Sequence, residues 1–249
     1  MIWQKGLEHL YSSIFPWGHG SQNLTPECIL TFYLTRESND MTVHADTRLK
    51  RLPERGSKDF DLACSIIDEA RICHVGITLD EQPYVIPMAL GRNGRDLLLH
   101  GAVVSRLVNN LAEGLPCCVT VTHLDGLVLA RSAFHSSMNY RSVMVFGKAK
   151  LVDNPEEKRK GLDALVEHLV PGRLTELRES TRKELNATSL LSLPIETFSI
   201  KTRSGPPSDA ASDLSAPVWA GVIPLELKSG KPLDAPDMRE KHPLPDYLK

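Results

Sequence analysis

Residues 71–100 have the sequence RICHVGITLDEQPYVIPMALGRNGRDLLLH, and this stretch decides the fold class. Three runs rich in β-branched and apolar residues are separated by short segments of turn-forming residues. The pattern predicts three strands, over 71–78, 83–90 and 96–100, with turns at 79–82 and 91–95. Because the turns are short, the three strands form an antiparallel meander.

Helices are predicted on both sides of this meander. Apolar residues at helical spacing predict one helix over 58–71, with Ser57 as its N-cap. A second helix is predicted over 102–113 and ends at Gly114. The apolar stripe of the second helix consists of Val104, Leu107, Val108 and Leu111.

The remainder of the chain predicts further strands and two more helices. Six or seven antiparallel strands, with one helix between the third and the fourth, favour a closed or split β-barrel, since closure removes exposed edges. The fold class is therefore mainly β (α+β), an antiparallel split β-barrel with peripheral helices. The further elements are strands over 116–123, 127–134, 140–151, 190–202 and 218–225, a hairpin turn at 124–126, a helix over 154–169 and a short helix after Thr181.

The domain organisation follows the same patterns along the 249 residues. Residues 1–40 show no sustained periodicity, which fits either an extension upstream of a translation start at Met41 or a poorly ordered arm. Residues 41–57 are a polar lead-in. The barrel domain is expected over 58–226, followed by a loose tail over 227–249.

Composition excludes several classes of protein. The chain has 29 Lys+Arg and 31 Asp+Glu, which lacks the basic excess of nucleic-acid-binding proteins. Its five cysteines form no C-x-x-C pair, which argues against a zinc site and favours free thiols in a reducing cytoplasm. No apolar run approaches the ~18 residues of a membrane span. Motifs of Rossmann enzymes, P-loop NTPases, zinc proteases and serine hydrolases are also missing.

A possible anion site lies where the third strand of the meander ends. His100 is the last strand residue, Gly101 turns the chain, and the predicted helix follows at once. The N–H groups of a helix N-terminus, the Ser105 hydroxyl and the Arg106 guanidinium can together bind a phosphate monoester. The pattern alone favours a capped helix with a surface arginine.

A dense polar cluster, HSSMNYRS, begins at His135 and leads into an apolar strand. Alternation places Arg141 and Ser142 on opposite faces of that strand. A buried arginine needs an anionic partner, but a surface arginine in a hairpin fits the pattern as well. His135 could donate a proton near neutral pH, or be a hydrogen-bonded structural histidine. Lys201 and Arg203, two residues apart, could meet an anion or form a solvated face.

Several stretches together resemble the pyridoxamine 5′-phosphate oxidase-like superfamily of flavin-binding split barrels. Within it the chain is most similar to the flavin-nucleotide-binding branch related to nitroimidazole-resistance reductases. The resemblance covers roughly residues 58–226. It is carried by CHVGITLDEQPYVIPMALGRNGRDLLLHGAVVSRL (73–107), VTHLDGLVLARSAFHSSMNYRSVMVFGKAKLV (121–152), HLVPGR (168–173), LPIETFSIKTRSGPPSD (193–209) and VWAGVIPL (218–225).

This resemblance implies a homodimer with two flavin mononucleotide (FMN) sites at its interface. One strand would line the isoalloxazine edge, and the strand end with the following helix start would hold the phosphate. Relatives often have lysine where Arg106 stands, and arginine is also a good phosphate ligand. The implied contacts are Val85, Ile86, Pro87 and Met88 at the ring edge, His100, Gly101, Ser105 and Arg106 at the phosphate, Arg141 and Ser142 from either subunit, and, more loosely, Lys201 and Arg203.

The expected function is an FMN-dependent oxidoreductase that reduces a small nitro- or quinone-like compound, with His135 as the side chain to test as proton donor. The C-terminal substrate-binding pattern of true pyridoxamine phosphate oxidases is missing, so that reaction is not expected. Alternatives are a non-catalytic flavin-binding or storage module, a deazaflavin in place of FMN, and a haem-binding split barrel with His100, His123 or His135 as axial ligand. No nucleic-acid, membrane or metal partner is expected.

Overall fold

The structure is a computed structural model, and it describes residues 45–240 and 242–248. The prediction for residues 1–40 lies outside the described residues, as does the start of the lead-in. The described residues belong to a compact unit that extends over Val43–Lys249. Within the described ranges, no helix has the length and apolar character that crossing a bilayer requires.

Strands make up most of the regular structure. In chain order they are β1 (Gly56–Ser57), β2 (Ile72–Leu79), β3 (Gln82–Asn93), β4 (Asp96–Ala102), β5 (Pro116–Leu129), β6 (Ser137–Lys148), β7 (Lys150–Leu151), β8 (Thr188–Pro194), β9 (Thr197–Arg203) and β10 (Gly221–Pro224). The α-helices are α1 (Phe60–Glu69), α2 (Arg106–Ala112), α3 (Pro155–Leu169) and α4 (Arg182–Ala187).

The strands form a split barrel, as predicted. Their order in the ten-stranded sheet is β1-β9-β6-β5-β2-β3-β4-β8-β7, with β10 paired to β5. Only Ala149 separates β6 from β7, so one bent strand pairs with β5 and β9 along its length and with β8 at its end. This bend closes the barrel, because β7, at one end of the strand order, continues directly from β6, which lies two strands in from the other end.

The barrel interior is filled by alternate strand residues and closed by two helices. Val75 of β2 and Val145 of β6 are buried on the inner face. Helix α1 contributes Ile66 and Ile67, and helix α2 contributes Leu111, all of them fully buried in the same cluster. Burying each such side chain contributes about 1.5–3 kcal/mol. The apolar stripes seen in the sequence therefore face one core.

The start of α1 differs from the prediction by two residues. The Asp59 carboxylate, not Ser57, is the N-cap, and it accepts hydrogen bonds from the N–H groups of Asp61 and Leu62. Ser57 lies in β1, and its hydroxyl accepts a hydrogen bond from the Asp59 N–H. Pairing of Ser57 with β9 explains the shift, since a strand residue cannot also begin the helix.

The predicted helix over 102–113 is shorter than expected. Ser105 caps α2, and Ala102 is still paired with β8. This pairing keeps the residues before Ser105 out of the helix. Val104 is 85% exposed and does not share the stripe of Leu107 and Leu111. Pairing with β8 thus outweighs the helical spacing of Val104.

The predicted hairpin at 124–126 is wrong. A bulge between Leu124 and Gly126 interrupts the register with β6, and β5 then continues to Leu129. The last four residues of β5 are held by β10, whose Pro224 pairs with Gly126. The real hairpin turn lies at 130–136, and the predicted strand over 127–134 does not exist as such.

Two other boundaries are set by pairing partners far along the chain. The predicted strand over 190–202 is two strands, because β8 pairs with β4 and β9 pairs with β6. Both bury the same face in the barrel, so the alternation is nearly continuous. The predicted turn at 91–95 is also wrong in part, since Gly91 belongs to β3 and the turn consists of Gly94, with φ +58°, and Arg95.

Candidate functional site

A cationic group lies beside an aromatic ring where α2 begins. The Arg106 guanidinium carbon is 5.5 Å from the ring centroid of Tyr84 on β3. Ser105 accepts a hydrogen bond from the Val108 N–H at 3.4 Å, which leaves its O–H free to donate. In the described part of the chain no carboxylate forms a salt bridge with Arg106. Arg106 is therefore a cation available to an anionic ligand.

Gly101 allows α2 to approach the end of β4. A Cβ atom at Gly101 would lie 2.7 Å from Cγ2 of Val108, so a larger residue would push the helix away. The Val103 N–H donates to the Ala187 carbonyl at 3.2 Å, which fixes the link between β4 and α2. The fold thus brings Gly101, Ser105 and Arg106 together with Tyr84.

The predicted ring-edge residues alternate along β3. Val85 is 67% exposed and Pro87 is exposed as well, on the outer face of the sheet. Ile86 and Met88 are partly buried and pack against the core. Of these four residues, only Val85 and Pro87 offer freely exposed side chains to a ligand.

His100 faces a different side of β4 from Gly101. Its neighbour Leu98, two residues earlier on the same face, packs with Leu165 of α3. The His100 ring lines a cavity whose other walls come from α3, α4 and the segments next to α4. The imidazole therefore points toward α3, whereas Gly101 contacts α2.

Arg141 is held between two carboxylates of its own chain. Its guanidinium donates to both oxygens of Asp125, at 2.8 and 3.0 Å, and to both oxygens of Glu69, at 2.5 and 2.9 Å. The hydrogen bonds to Glu69 have the largest effect on the pKa of Arg141, and those to Asp125 come next. Together they raise this pKa above its usual range. The network joins the end of α1 to strands β5 and β6.

The Arg141 network predicts a pH-dependent effect on stability. Arg141 holds the pKa of the Glu69 carboxyl below its usual range, so this contribution is full above about pH 4.3 and is lost as pH falls through the lowered value. At pH 7 we expect Arg141→Met to lower the free energy of unfolding by about 1 kcal/mol, since the groups are partly exposed. The difference should shrink below pH 4 in urea denaturation curves.

The matched control is Arg178→Met, because Arg178 and Glu184 form an exposed pair whose side chains are 68% and 49% accessible. Stability of this control should change little at either pH. An Arg141→Met effect of equal size at pH 7 and pH 3.5 would contradict the proposed electrostatic role.

Ser142 and Lys201 are neighbours on the face opposite Arg141. Lys201 of β9 pairs with Ser142 of β6, and the Ser142 hydroxyl is 3.1 Å from Thr122 Oγ1. Arg203, in contrast, already forms hydrogen bonds within its own chain. Its guanidinium donates to the Asn139 side-chain oxygen and to backbone carbonyls of the loop after β9.

His135 lies in the turn between β5 and β6. Its Nδ1 is 2.8 Å from the Ser132 hydroxyl, and its ring meets the exposed ring of Phe134 edge-on at 5.1 Å. No hydrogen bond to Nε2 occurs within the described residues, so this nitrogen can exchange a proton with a ligand. Ser132 fixes the orientation of the imidazole.

Within one chain, the Arg106 group and the Arg141 group lie apart. Tyr84 pairs with Ile77 near the end of β2. Arg141 pairs with His123. The register between β2 and β5 places that pair level with residue 71, which immediately precedes β2. About six residues of strand separate the two levels, which corresponds to about 20 Å. The two groups therefore do not contact each other within one chain.

Sequence reasoning missed three residues that shape these groups. Tyr84 directly precedes the predicted ring-edge residues, and its place in an alternating strand could have indicated it. Glu69 was assigned only to a helix end and Asp125 only to a turn. Their pairing with Arg141 spans 72 and 16 residues of sequence and leaves no local signal.

The thiols are poor candidates for nucleophilic chemistry. Burial raises the pKa of Cys73 to about 12 and that of Cys117 to about 11. Both side chains lie in the barrel core. The thiolate, which is the reactive form, is therefore scarce at neutral pH.

Comparisons with known proteins agree with this fold. The FAD and haem binding protein from Mycobacterium smegmatis is 42% identical over 78% of this chain and 95% of its own, with a TM-score of 0.75. The flavocytochrome Anf3 from Azotobacter vinelandii is 36% identical over 82% of this chain and 95% of its own, with a TM-score of 0.77. A comparison with curated protein sequences gives no match.

A third structure is a candidate 5-nitroimidazole antibiotic resistance protein from Bacteroides thetaiotaomicron. It is 27% identical over 59% of this chain and 85% of its own, with a TM-score of 0.50. The model of the family described as pyridoxamine 5′-phosphate oxidase matches residues 60–202, more than half of the chain. The chain therefore belongs to the pyridoxamine 5′-phosphate oxidase family.

Proposed function

We propose that this chain binds a flavin nucleotide and uses it to oxidise or reduce a small molecule. The observation that carries the proposal is the Arg106 guanidinium, which has no carboxylate partner in the described residues and lies over Tyr84 beside the Ser105 hydroxyl. These groups and the close packing at Gly101 fit a flavin phosphate. The names of the two relatives that are 42% and 36% identical, one an FAD and haem binding protein and the other a flavocytochrome, support flavin as the ligand.

The roles of the chain's own residues follow from their positions. Arg106 and Ser105 would hold the phosphate, and Val85 and Pro87 would border the ring from the outer sheet face. A bound flavin would supply transfer of one or two electrons, while the protein positions and shields it. The reaction expected is reduction of a nitro- or quinone-like compound.

A homodimer forms part of this proposal. Exposed apolar residues on the outer sheet face, Ile72 at 54% and Val85 at 67%, support burial against such a copy. Sedimentation of the flavin-loaded protein tests this part.

The visible spectrum of the purified protein tests flavin binding. We expect the absorption bands of an oxidised flavin, either as purified or after addition of FMN or FAD. Both nucleotides carry the phosphate that Arg106 would bind, and chromatography of the cofactor released by heat identifies which one is present. A colourless protein that binds none of added FMN, FAD and a deazaflavin would contradict the proposal.

Haem binding is a second candidate, favoured by the names of the same two relatives. Of the histidines considered as axial ligands, His123 donates through Nε2 to the Ile66 carbonyl, 2.9 Å away. His135 has its Nδ1 on Ser132 and its Nε2 available. Titration of the protein with haem, followed by the position of the Soret band, tests haem binding. If the spectrum remains that of free haem, the protein does not bind haem.

His135 is the proton donor to test. With flavin bound, we expect His135→Ala to lower the rate of nitro-compound reduction about 100-fold while flavin affinity stays unchanged. His168→Ala is the control, because His168 is hydrogen-bonded to the Ala70 carbonyl at the end of α1. Unchanged turnover in His135→Ala removes this role. Flavin that NADH and NADPH both fail to reduce would instead support a non-catalytic storage module.

A further inference from the structure

The turn between β5 and β6, residues 130–136, carries His135 and buries little apolar surface of its own. Phe134 is 90% exposed, and Ala133 and Ser136 are exposed as well. A segment with so few buried apolar contacts depends on polar contacts for a fixed conformation. The orientation of the His135 imidazole therefore depends on the hydrogen bonds that hold this turn.

Hydrogen bonds inside the turn fix the imidazole relative to the backbone next to it. The Ser132 hydroxyl lies 2.8 Å from Nδ1 of His135 and accepts from the His135 N–H at 3.4 Å. The Ser136 hydroxyl donates to the Ser132 carbonyl at 3.0 Å and accepts from the Ala130 N–H at 3.1 Å. These contacts make the turn one unit, but they do not attach it to the rest of the barrel.

The attachment comes from Asp209, which lies in the loop after β9, 78 residues beyond Arg131. One carboxylate oxygen accepts from the Arg131 N–H at 2.7 Å, and the other accepts from the Arg131 guanidinium at 2.8 Å. Within the described ranges, no other hydrogen bond joins residues 131–135 to a different segment of the chain. Asp209 therefore holds both the backbone and the side chain of the residue next to Ser132.

The loop that carries Asp209 is itself fixed on β6. The Asn139 side-chain amide donates to the Gly205 carbonyl at 3.2 Å, and Asn139 is buried. The Arg203 guanidinium donates to the carbonyls of Gly205 and Pro206, at 3.3 and 3.2 Å. Asp209, three residues beyond Pro206, thus acts from a fixed position.

The Asp209 carboxylate is buried and charged. Its side chain is only 2% accessible, and that of Arg131 is 27% accessible. Burial alone would raise the pKa of Asp209, but the hydrogen bonds from the Arg131 N–H and guanidinium outweigh burial and lower this pKa below its usual range. Removing one partner of a buried ion pair leaves the other charge unpaired, so the pair is a firm anchor for the turn.

We propose that Asp209 is a positioning residue for proton donation by His135, because through Arg131 it fixes the turn in the conformation that presents Nε2 to the substrate. Asp209 acts only through the turn, since its carboxylate is too little exposed to contact a ligand. The proposal rests on the proposed function, in which a flavin is bound and His135 donates the proton.

Asp209→Asn tests the proposal in the full chain, because it removes the negative charge and keeps the size of the side chain. With flavin bound, we expect turnover of a nitro compound to fall about 10- to 100-fold, since small displacements of a catalytic group have effects of this size. Flavin affinity should stay unchanged. Asp68→Asn is the matched control, since it removes the carboxylate of another Asp–Arg pair, with Arg92 of β3, and should turn over as the parent does.

A double variant separates positioning from general damage. Asp209→Asn combined with His135→Ala should be no slower than His135→Ala alone, because a residue that acts only through His135 has no further effect once the imidazole is gone. A merely structural role would make the two losses multiply. Circular dichroism shows whether each variant is folded, and Asp209→Ser replaces Asp209→Asn if the latter is not.

The ¹⁵N resonances of labelled histidine give a measurement that does not depend on turnover. The His135 signals are identified by their loss in His135→Ala. We expect Asp209→Asn to shift the Nδ1 resonance of His135 and Asp68→Asn to leave it in place. The proposal is overturned if Asp209→Asn leaves this resonance unchanged, if it shifts the resonance without slowing turnover, or if the losses in the double variant multiply.

Failure of the proposed function has a different signature. A parent protein that binds no flavin, or that turns over no substrate, contradicts the proposed function and with it the role of Asp209 in proton donation. A shift of the His135 resonance in Asp209→Asn would then show that the anchor exists without the reaction.

Discussion

Replacing Arg106 with alanine is expected to weaken flavin binding by about 10- to 100-fold. Hydrogen bonds from a cation to a phosphate contribute about 1.5–3 kcal/mol each, and Arg106 has no competing carboxylate in the described residues. The alanine variant also loses the cation over the Tyr84 ring. Titration of the apoprotein with FMN, followed by quenching of flavin fluorescence, measures the change.

Two variants separate charge from general damage. Arg106→Lys retains the positive charge and should recover most of the affinity, because lysine also binds phosphate as a point charge. Arg51→Ala removes an exposed arginine far from the site in sequence and should bind FMN as the parent does. If the alanine variant and the parent bind FMN with equal affinity, the flavin phosphate does not bind at the start of α2.

The parts of the fold that sequence predicts are those set by local spacing. The alternation in β2 and much of β3 and the start of α3 after its N-cap Asn154 depend on neighbours within a few residues, and the structure confirms them. Gly101, Ser105 and Arg106 lie within six residues of one another, so their grouping at the start of α2 also follows from local spacing. Local spacing in the sequence therefore predicts the barrel strands and one end of the candidate site.

What sequence does not predict depends on contacts between distant segments. The hairpin expected at 124–126 is a bulge because β10, about a hundred residues later, pairs with the last four residues of β5. Arg141 looks like a free cation in the sequence, yet Glu69 and Asp125 neutralise it in the fold. Which arginines remain available to a ligand is thus decided by tertiary pairing and not by the motif.

Gly91 shows how one residue type can indicate two different structures. With Gly94 three residues later in GRNGR, it is typical of a turn, but the structure places it in β3 beneath α3. A Cβ atom at Gly91 would lie 2.9 Å from Leu165 Cδ2 and 3.1 Å from Leu165 Cα. Because Cα belongs to the helix backbone, a side-chain rotation cannot relieve this contact. The glycine lets α3 dock on the sheet.

Gly91→Val is therefore expected to be strongly destabilising. A strand glycine replaced by valine is ordinarily favourable, since β-branched residues suit strands. Here the added carbons must displace α3, and we expect the free energy of unfolding to fall by about 3 kcal/mol, with a smaller loss for Gly91→Ala. Chemical denaturation measured by circular dichroism gives both values, which should fall in that order.

The matched control is Gly76→Ala on β2, where the nearest atom to an added Cβ is the Cys118 carbonyl oxygen at an ordinary 3.5 Å. This variant should change the free energy of unfolding by less than about 0.5 kcal/mol. If Gly91→Val were as stable as the parent, then α3 would not be docked through Gly91.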